Sequence, residues 1–207
     1  MADKGKLFII SAPSGAGKTS LVKELVNSHA EVEVCISHTT RKMRAGEVDG
    51  KDYYFISVKQ FNNMIAGNEF LEHAQVFDNF YATAQSSVQQ QLEQGLKVIL
   101  EIDWQGAAQV RKHFPDSQSI FILPPSKAEL ENRLRGRGQD SEEIIARRMQ
   151  DAESEMSHYD EFDHIVLNDD FDQALSDLGA IVVGEGQFQP ISEDKLQLLI
   201  SDLLSRS

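Results

Sequence analysis

Ala12-Pro13-Ser14-Gly15-Ala16-Gly17-Lys18-Thr19 is the stretch whose residue types could most directly do chemistry. Gly15 and Gly17 let the backbone wrap closely, so that successive N–H groups can aim at phosphate oxygens. Lys18 can bridge the phosphates of a nucleoside triphosphate, and the Thr19 hydroxyl can ligate Mg²⁺. The pattern is a P-loop in which Ala12 replaces the first glycine. An ordinary glycine-rich turn capping a helix is the competing reading, but the Gly-Lys-Thr ending favours a triphosphate grip with Mg²⁺ as its cofactor.

Such a loop works only between a strand and a helix, and its flanks supply both. Residues 7–11 form a short apolar run that reads as a first strand. Residues 18–30 place Leu21, Val22, Leu25 and Val26 on one helical stripe, and residues 32–37 alternate like a second strand. Further along, short apolar runs at 96–102, 120–123 and 165–167 alternate with helix-period segments, the pattern of a parallel sheet with crossover helices. Ser57 with Gln60, and Ser126 with Glu129, are spaced to cap helices, and a third helix restarts near Asp140 with Glu143 three residues on. Residues 38–94 interrupt the alternation with charged turns and the run Tyr53-Tyr54-Phe55, as an inserted lobe would.

That lobe opens with a second chemical constellation. Arg41 and Arg44 stand three residues apart, with Tyr53 beyond them. A guanidinium donates two parallel hydrogen bonds to a phosphate and a phenol can add a third, so the three could clamp one phosphate. Solvated surface charge explains the same residues equally well. A third feature is Arg135-Gly136-Arg137-Gly138, a flexible, arginine-bearing break between two helices that reads as a hinged lid over about residues 133–148.

Taken together, the chain resembles the guanylate kinase family, and its bacterial-type members in particular. The resemblance runs over roughly residues 5–183. It is carried by the P-loop, by the segment from Ser37 through Arg41, Arg44 and Tyr53 to Phe55, and by Glu69-Phe70-Leu71-Glu72. Leu100-Glu101-Ile102-Asp103-Trp104-Gln105-Gly106, Arg135-Gly136-Arg137-Gly138 and Val166-Leu167-Asn168-Asp169-Asp170 complete it. It implies an α/β P-loop kinase in a single domain. The core spans about 5–37 and 95–183 and the GMP-binding lobe about 38–94; beyond the resemblance, an apolar stripe reads as a C-terminal helix over about 191–206.

The resemblance also implies roles. Guanine presents two donors, N1–H and the exocyclic amine, beside the O6 acceptor, and Glu72 and Asp103 match the family's carboxylate readers for such an edge. Ser37 and Thr83 match its hydroxyl positions around the base, and Arg41, Arg44, Tyr53 and Tyr81 match its ligands for the GMP phosphate. Arg133, Arg137 and Arg148 match its charge-neutralising lid arginines, which leaves Arg135 and Arg147 as surface ion-pairing residues. The family pattern usually has glycine where this chain has Ala82, a departure that would tighten the turn between Tyr81 and Thr83. Asp103 could instead hold Mg²⁺ through water at the end of its strand, with Glu101 on the same side. Asn168 matches a position near the adenine of ATP, but it could equally cap the helix that starts near Asp170.

Two other functional classes fit parts of the pattern. Asp103-Trp104-Gln105-Gly106 mimics the Asp-x-x-Gly of a GTPase switch, but no Asn-Lys-x-Asp guanine reader follows. A non-catalytic scaffolding module would be expected to have lost Lys18 and Thr19.

Composition narrows the setting. The 207 residues, 41% of them hydrophobic, suffice for one compact domain, and a formal net charge of −13 would repel nucleic acid. Cys35 is the only cysteine, and the first apolar run is too short for a signal-peptide core or a membrane span, so a cytoplasmic protein is expected, one whose substrates the resemblance implies to be ATP as phosphate donor and GMP as acceptor. The last helix carries Leu196, Leu199, Ile200, Leu203 and Leu204 on one face. That face either closes the core or joins two copies in a homo-oligomer.

Overall fold

The computed structural model describes residues 4–76, 78–136 and 141–205. In chain order the elements are β1 (Lys6–Ser11), α1 (Lys18–Ser28), β2 (Val32–Val34), β3 (His38–Thr39), β4 (Tyr54–Phe55), α2 (Val58–Ala66), β5 (Phe70–Val76), β6 (Asn79–Ala84) and α3 (Gln85–Glu93). They continue with β7 (Lys97–Glu101), α4 (Trp104–His113), β8 (Gln118–Leu123), α5 (Lys127–Gly136), α6 (Glu142–Met156), β9 (His164–Leu167), α7 (Phe171–Val182) and α8 (Glu193–Leu203). The chain divides into two compact units, one running through Ile9 and over Ala30–Gln118, the other over Ile10–His29 and from Ser119 onward.

In the first unit β2, β7 and β1 are neighbours in that order, and β2 pairs with β7 in parallel, Val32 opposite Lys97 and Val34 opposite Ile99. Leu7, Phe8 and Ile9 are buried, as are Val98, Ile99 and Leu100. Such continuous apolar runs suit strands covered on both faces. The same unit carries a second sheet in the order β4-β3-β6-β5, in which β6 runs antiparallel to both β3 and β5. Under it, Phe61 packs its ring 4.9 Å from Phe70 and 5.5 Å from Phe80. Helix α2 presents Phe61, and its start is secured by the capping box of Ser57 and Gln60 that the sequence signals.

In the second unit the end of β1 is followed in the sheet by β8 and then β9, these last two parallel, Ile120 opposite His164 and Leu123 opposite Leu167. Helix α1 packs against α7, and α5 against α6. Ile200 and Leu203 of α8 are buried, and Lys127 at the start of α5 donates from its backbone to Asp202 (3.0 Å) and from Nζ to the Ser205 carbonyl (2.6 Å). The apolar face of α8 thus closes against its own unit.

Several local expectations shift. The second strand ends at Val34 rather than Ser37, because only the Cys35 amide goes on to reach β7, at the Ile99 carbonyl, 2.9 Å away. Helix α6 is capped by Ser141, whose hydroxyl accepts from the Ile144 amide, one residue beyond the expected start; Asp140 lies outside the described residues. Tyr81, Ala82 and Thr83 form no turn but lie in β6, with Ala82 fully buried between His38 and His73. Among the described residues no helix is long and apolar enough to cross a membrane.

Candidate active site

The second unit holds the phosphate loop. Residues 12–17 leave β1 and enter α1 through Gly17, whose φ of 97° lies in the left-handed region; Gly15 has the same value. Gly17 caps α1 without a side-chain hydrogen bond, so the first amides of the helix are left for an anion. Lys18 and Thr19 open the helix, Lys18 half-buried and Thr19 exposed. The loop is braced from behind. Asn168, at the end of β9, is buried, and its Nδ2 donates to the Ala16 carbonyl at 2.7 Å. A Cβ on Gly17 would stand 2.3 Å from that nitrogen, so glycine is required there for clearance as well as for its dihedral.

Asn168 is therefore not the cap of α7; Asp170 is, accepting from the Gln173 amide at 2.9 Å. Arg133 donates from Nε to Glu129 (2.8 Å) and from Nη2 to the Asn168 carbonyl (3.1 Å). Arg135 pairs with Glu131 at 2.8 Å and also with Glu142, which keeps it on the surface as an ion-pairing residue. Arg148 is half-buried on α6, and Arg137 lies outside the described residues.

The first unit holds the other constellation, and β5 and β6 build its floor. Glu72 and Thr83 are directly opposite one another across these strands, and the Thr83 hydroxyl donates to Glu72 Oε1 at 2.6 Å. The single Thr83 proton is committed there, so Ser37, 3.3 Å away, is the donor to Thr83 Oγ1. All three residues are buried. Burial drives the Glu72 carboxyl up to about 7; the Thr83 hydrogen bond opposes the shift and the nearby Asp103 adds to it.

Asp103 lies past the end of β7 and caps α4 through the Gly106 amide (2.9 Å), while its other oxygen accepts from Gln105 Nε2 (2.9 Å). Glu101 is the last residue of the strand, so the two acids do not share a strand face as alternation suggested. Gly106 faces Glu72: a Cβ there would come within 2.5 Å of Oε2. Cys35 is buried close by, and burial, then the Glu72 charge, push its thiol up to about 12. That keeps it protonated and unreactive.

The arginine segment is sewn onto β6. Thr39 Oγ1 donates to the Phe80 carbonyl and accepts from the Arg41 amide, and Thr40 Oγ1 accepts from the Phe80 amide. The Arg41 guanidinium lies 5.4 Å from the Tyr53 ring centroid and 5.7 Å from that of Phe55, and Tyr81 sits 6.0 Å from Tyr53. Burial, and then the Glu101 charge, push the Tyr53 phenol up to about 12, which keeps it a donor. Arg41, Tyr53 and Tyr81 therefore come together, while the Arg44 side chain points to solvent.

Glu47 is the residue that the sequence reading passed over. Its carboxylate takes both prongs of Arg41, at 2.7 and 3.0 Å, and also accepts from the Arg44 amide at 2.7 Å. Hydrogen bonding to Arg41 holds it below the ordinary carboxylate range. Its only sequence signal is a lone acid three residues after an Arg-x-x-Arg pair. Chemically it shows the Arg41 fork already shaped for a planar or tetrahedral oxyanion.

A parallel α/β sheet with a Gly-Lys-Thr loop opening its first helix defines the P-loop fold of nucleoside-triphosphate-binding proteins, to which the P-loop kinases belong. The family profile described as "Guanylate kinase" matches residues 4–185. The chain is 52% identical to a guanylate kinase of Pseudoalteromonas translucida, covering 97% of this chain and 98% of that one. It is 55% identical to one of Hydrogenovibrio crunogenus, with 96% and 97% covered. In structure it is similar to a guanylate kinase from Anaplasma phagocytophilum, with a TM-score of 0.73 and 29% identity over 96% of this chain and 95% of that one. The chain belongs to the guanylate kinase family.

Proposed function

We propose that this enzyme transfers the γ-phosphate of ATP to GMP, giving ADP and GDP, within the purine nucleotide metabolism of the cytoplasm. The observation that carries the choice of acceptor is the buried Glu72 carboxyl, aligned by Thr83 and Ser37 and backed by a glycine. As a carboxylate it accepts the N1–H and amine protons of guanine, with Asp103 as the second reader. Adenine presents an acceptor at N1, so the same carboxylate would face a lone pair; sites built on such a hydrogen bond discriminate by roughly 10⁴ to 10⁵. Arg41, Tyr53, Tyr81 and the exposed Arg44 receive the GMP phosphate, which displaces Glu47 from the Arg41 fork.

The second pKa of a phosphate monoester is about 6, so the acceptor is largely a dianion at pH 7 and needs no general base. The work left to the protein is placement and charge neutralisation. Residues 12–19 grip the donor triphosphate, Lys18 bridges its transferring phosphates, and Arg133, Arg137 and Arg148 offset charge on the moving group. Thr19 is an exposed hydroxyl at a helix start, and no cluster of three His, Cys, Asp or Glu ligands occurs among the described residues. That donor set fits Mg²⁺, which keeps several waters and takes its other ligands from phosphates. Bound there by Thr19, Mg²⁺ would add charge neutralisation on the triphosphate.

The donor and acceptor residues fall on separate elements, so they separate by mutation. Lys18→Ala is expected to lower turnover by about 10² to 10³-fold, the usual cost of removing one preorganised donor, while calorimetry shows GMP binding unchanged. Loss of GMP affinity in a folded Lys18→Ala protein would contradict this division.

A further inference from the structure

Glu129 lies one helical turn before Arg133 on α5, and its Oε1 accepts from Arg133 Nε at 2.8 Å. The guanidinium then lies on the Asn168 backbone carbonyl, 3.1 Å from Nη2. Asn168 itself is immobilised from two sides: its amide donates to the Leu123 carbonyl at 2.9 Å and its side chain holds the Ala16 carbonyl at 2.7 Å. The same helix touches the loop a second time. A Cβ on Gly15 would stand 2.9 Å from Leu130 Cδ1 and 3.1 Å from Leu134 Cδ2, so two leucines of α5 rest against the loop glycine. One hydrogen-bonded line therefore runs Glu129, Arg133, Asn168, Ala16, and one apolar contact runs beside it.

We propose that Glu129 is a positioning residue for phosphoryl transfer: it seats the Arg133 guanidinium on the carbonyl of the residue that braces the P-loop. This deepens the reading above and rests on Arg133 as a charge-neutralising group on the donor. An arginine has five N–H donors in a fixed fork. Glu129 takes the one on Nε and the Asn168 carbonyl takes one on Nη2, which leaves the Nη1 donors and the second Nη2 proton for phosphate oxygens. Without Glu129 the long side chain regains its rotamer freedom, and an arginine that must be ordered at each turnover stabilises the transition state less than one already in place. The Glu129–Arg133 pair is partly exposed, 42% and 28%, so as a surface ion pair it adds little to stability, and its consequence lies in orientation.

The test compares Glu129→Ala, Glu129→Gln, Arg133→Ala and the double variant Glu129→Ala/Arg133→Ala by steady-state kinetics and thermal melting. Misplacement of a catalytic group by about 1 Å can cost 10²-fold, so Glu129→Ala is expected to lower kcat between about 10-fold and 100-fold, leaving the KM for GMP and the melting temperature unchanged. Glu129→Gln, whose amide oxygen still accepts from Nε, recovers most of the rate, and the double variant is no slower than Arg133→Ala alone. Wild-type kcat in Glu129→Ala, with Arg133→Ala crippled, overturns the positioning role while sparing the role of Arg133. Wild-type kcat in Arg133→Ala overturns both. A double variant in which the two losses multiply shows Glu129 acting apart from Arg133 and also overturns the proposal.

Discussion

In the proposed function a single carboxyl group carries the choice of acceptor. Glu72 is buried, its proton affinity is raised to about 7, and its hydrogen-bond partner Thr83 lies across the strand pair. Glu72→Gln places an amide where guanine also donates, and leaving buried donors face to face costs about 1–3 kcal/mol. GMP kcat/KM is therefore expected to fall roughly ten- to hundredfold, with the KM for ATP unchanged; equal damage to both substrates would remove Glu72 from the acceptor site. A pH dependence follows from the same group. Below about 7 the free enzyme holds Glu72 protonated, and guanine needs it ionised, so GMP binding releases a proton there and tightens as pH rises toward 8. Calorimetry in two buffers of different ionisation enthalpy measures that release, and Glu72→Gln should abolish it.

At the scale of elements, the site depends on how closely helices approach neighbouring backbone and side chains. Helix α4 packs against β5, and Gly106 in its first turn leaves room for the Glu72 carboxylate. Gly106→Ala brings a methyl to 2.5 Å from Oε2, a distance at which the carboxylate must move. Alanine also favours the helix, by about 1 kcal/mol, so the variant is expected to fold while its KM for GMP rises about tenfold or more, on the scale of one lost buried hydrogen bond. An unchanged KM would show that the Glu72 position is not critical.

Elements of this kind were legible in the sequence to unequal degrees. The P-loop and the Ser57–Gln60 capping box are contiguous signals whose physics is local, and each appears where its residues lie. The two-residue strands β3 and β4, and the strand course of Tyr81 to Thr83, are set by pairing with distant partners, which no local pattern encodes. Glu47 was passed over, and Glu129 was read only as a capping partner of Ser126, for a related reason. An acid beside arginines is the commonest kind of surface pair, and only geometry shows what each guanidinium is being turned toward.

At the scale of the whole molecule, the chain comprises two compact units, and the residues proposed for donor and acceptor divide between them. The loop of residues 12–19 with Asn168 and Arg133 belongs to one; Glu72, Thr83, Arg41, Tyr53 and Tyr81 belong to the other. The alternation of strands and helices made the α/β class readable from periodicity alone, whereas the assignment of Glu72 and Asp103 to a guanine edge came from family resemblance. Periodicity identifies which residues are buried, and a buried carboxylate in isolation has many uses. The central claim is therefore one of acceptor identity, and a coupled assay offering GMP, AMP, UMP and dTMP in turn, with ATP and Mg²⁺, tests it most directly. GMP should be preferred over AMP by roughly 10⁴-fold or more in kcat/KM. Comparable turnover of AMP or of either pyrimidine nucleotide would contradict the account.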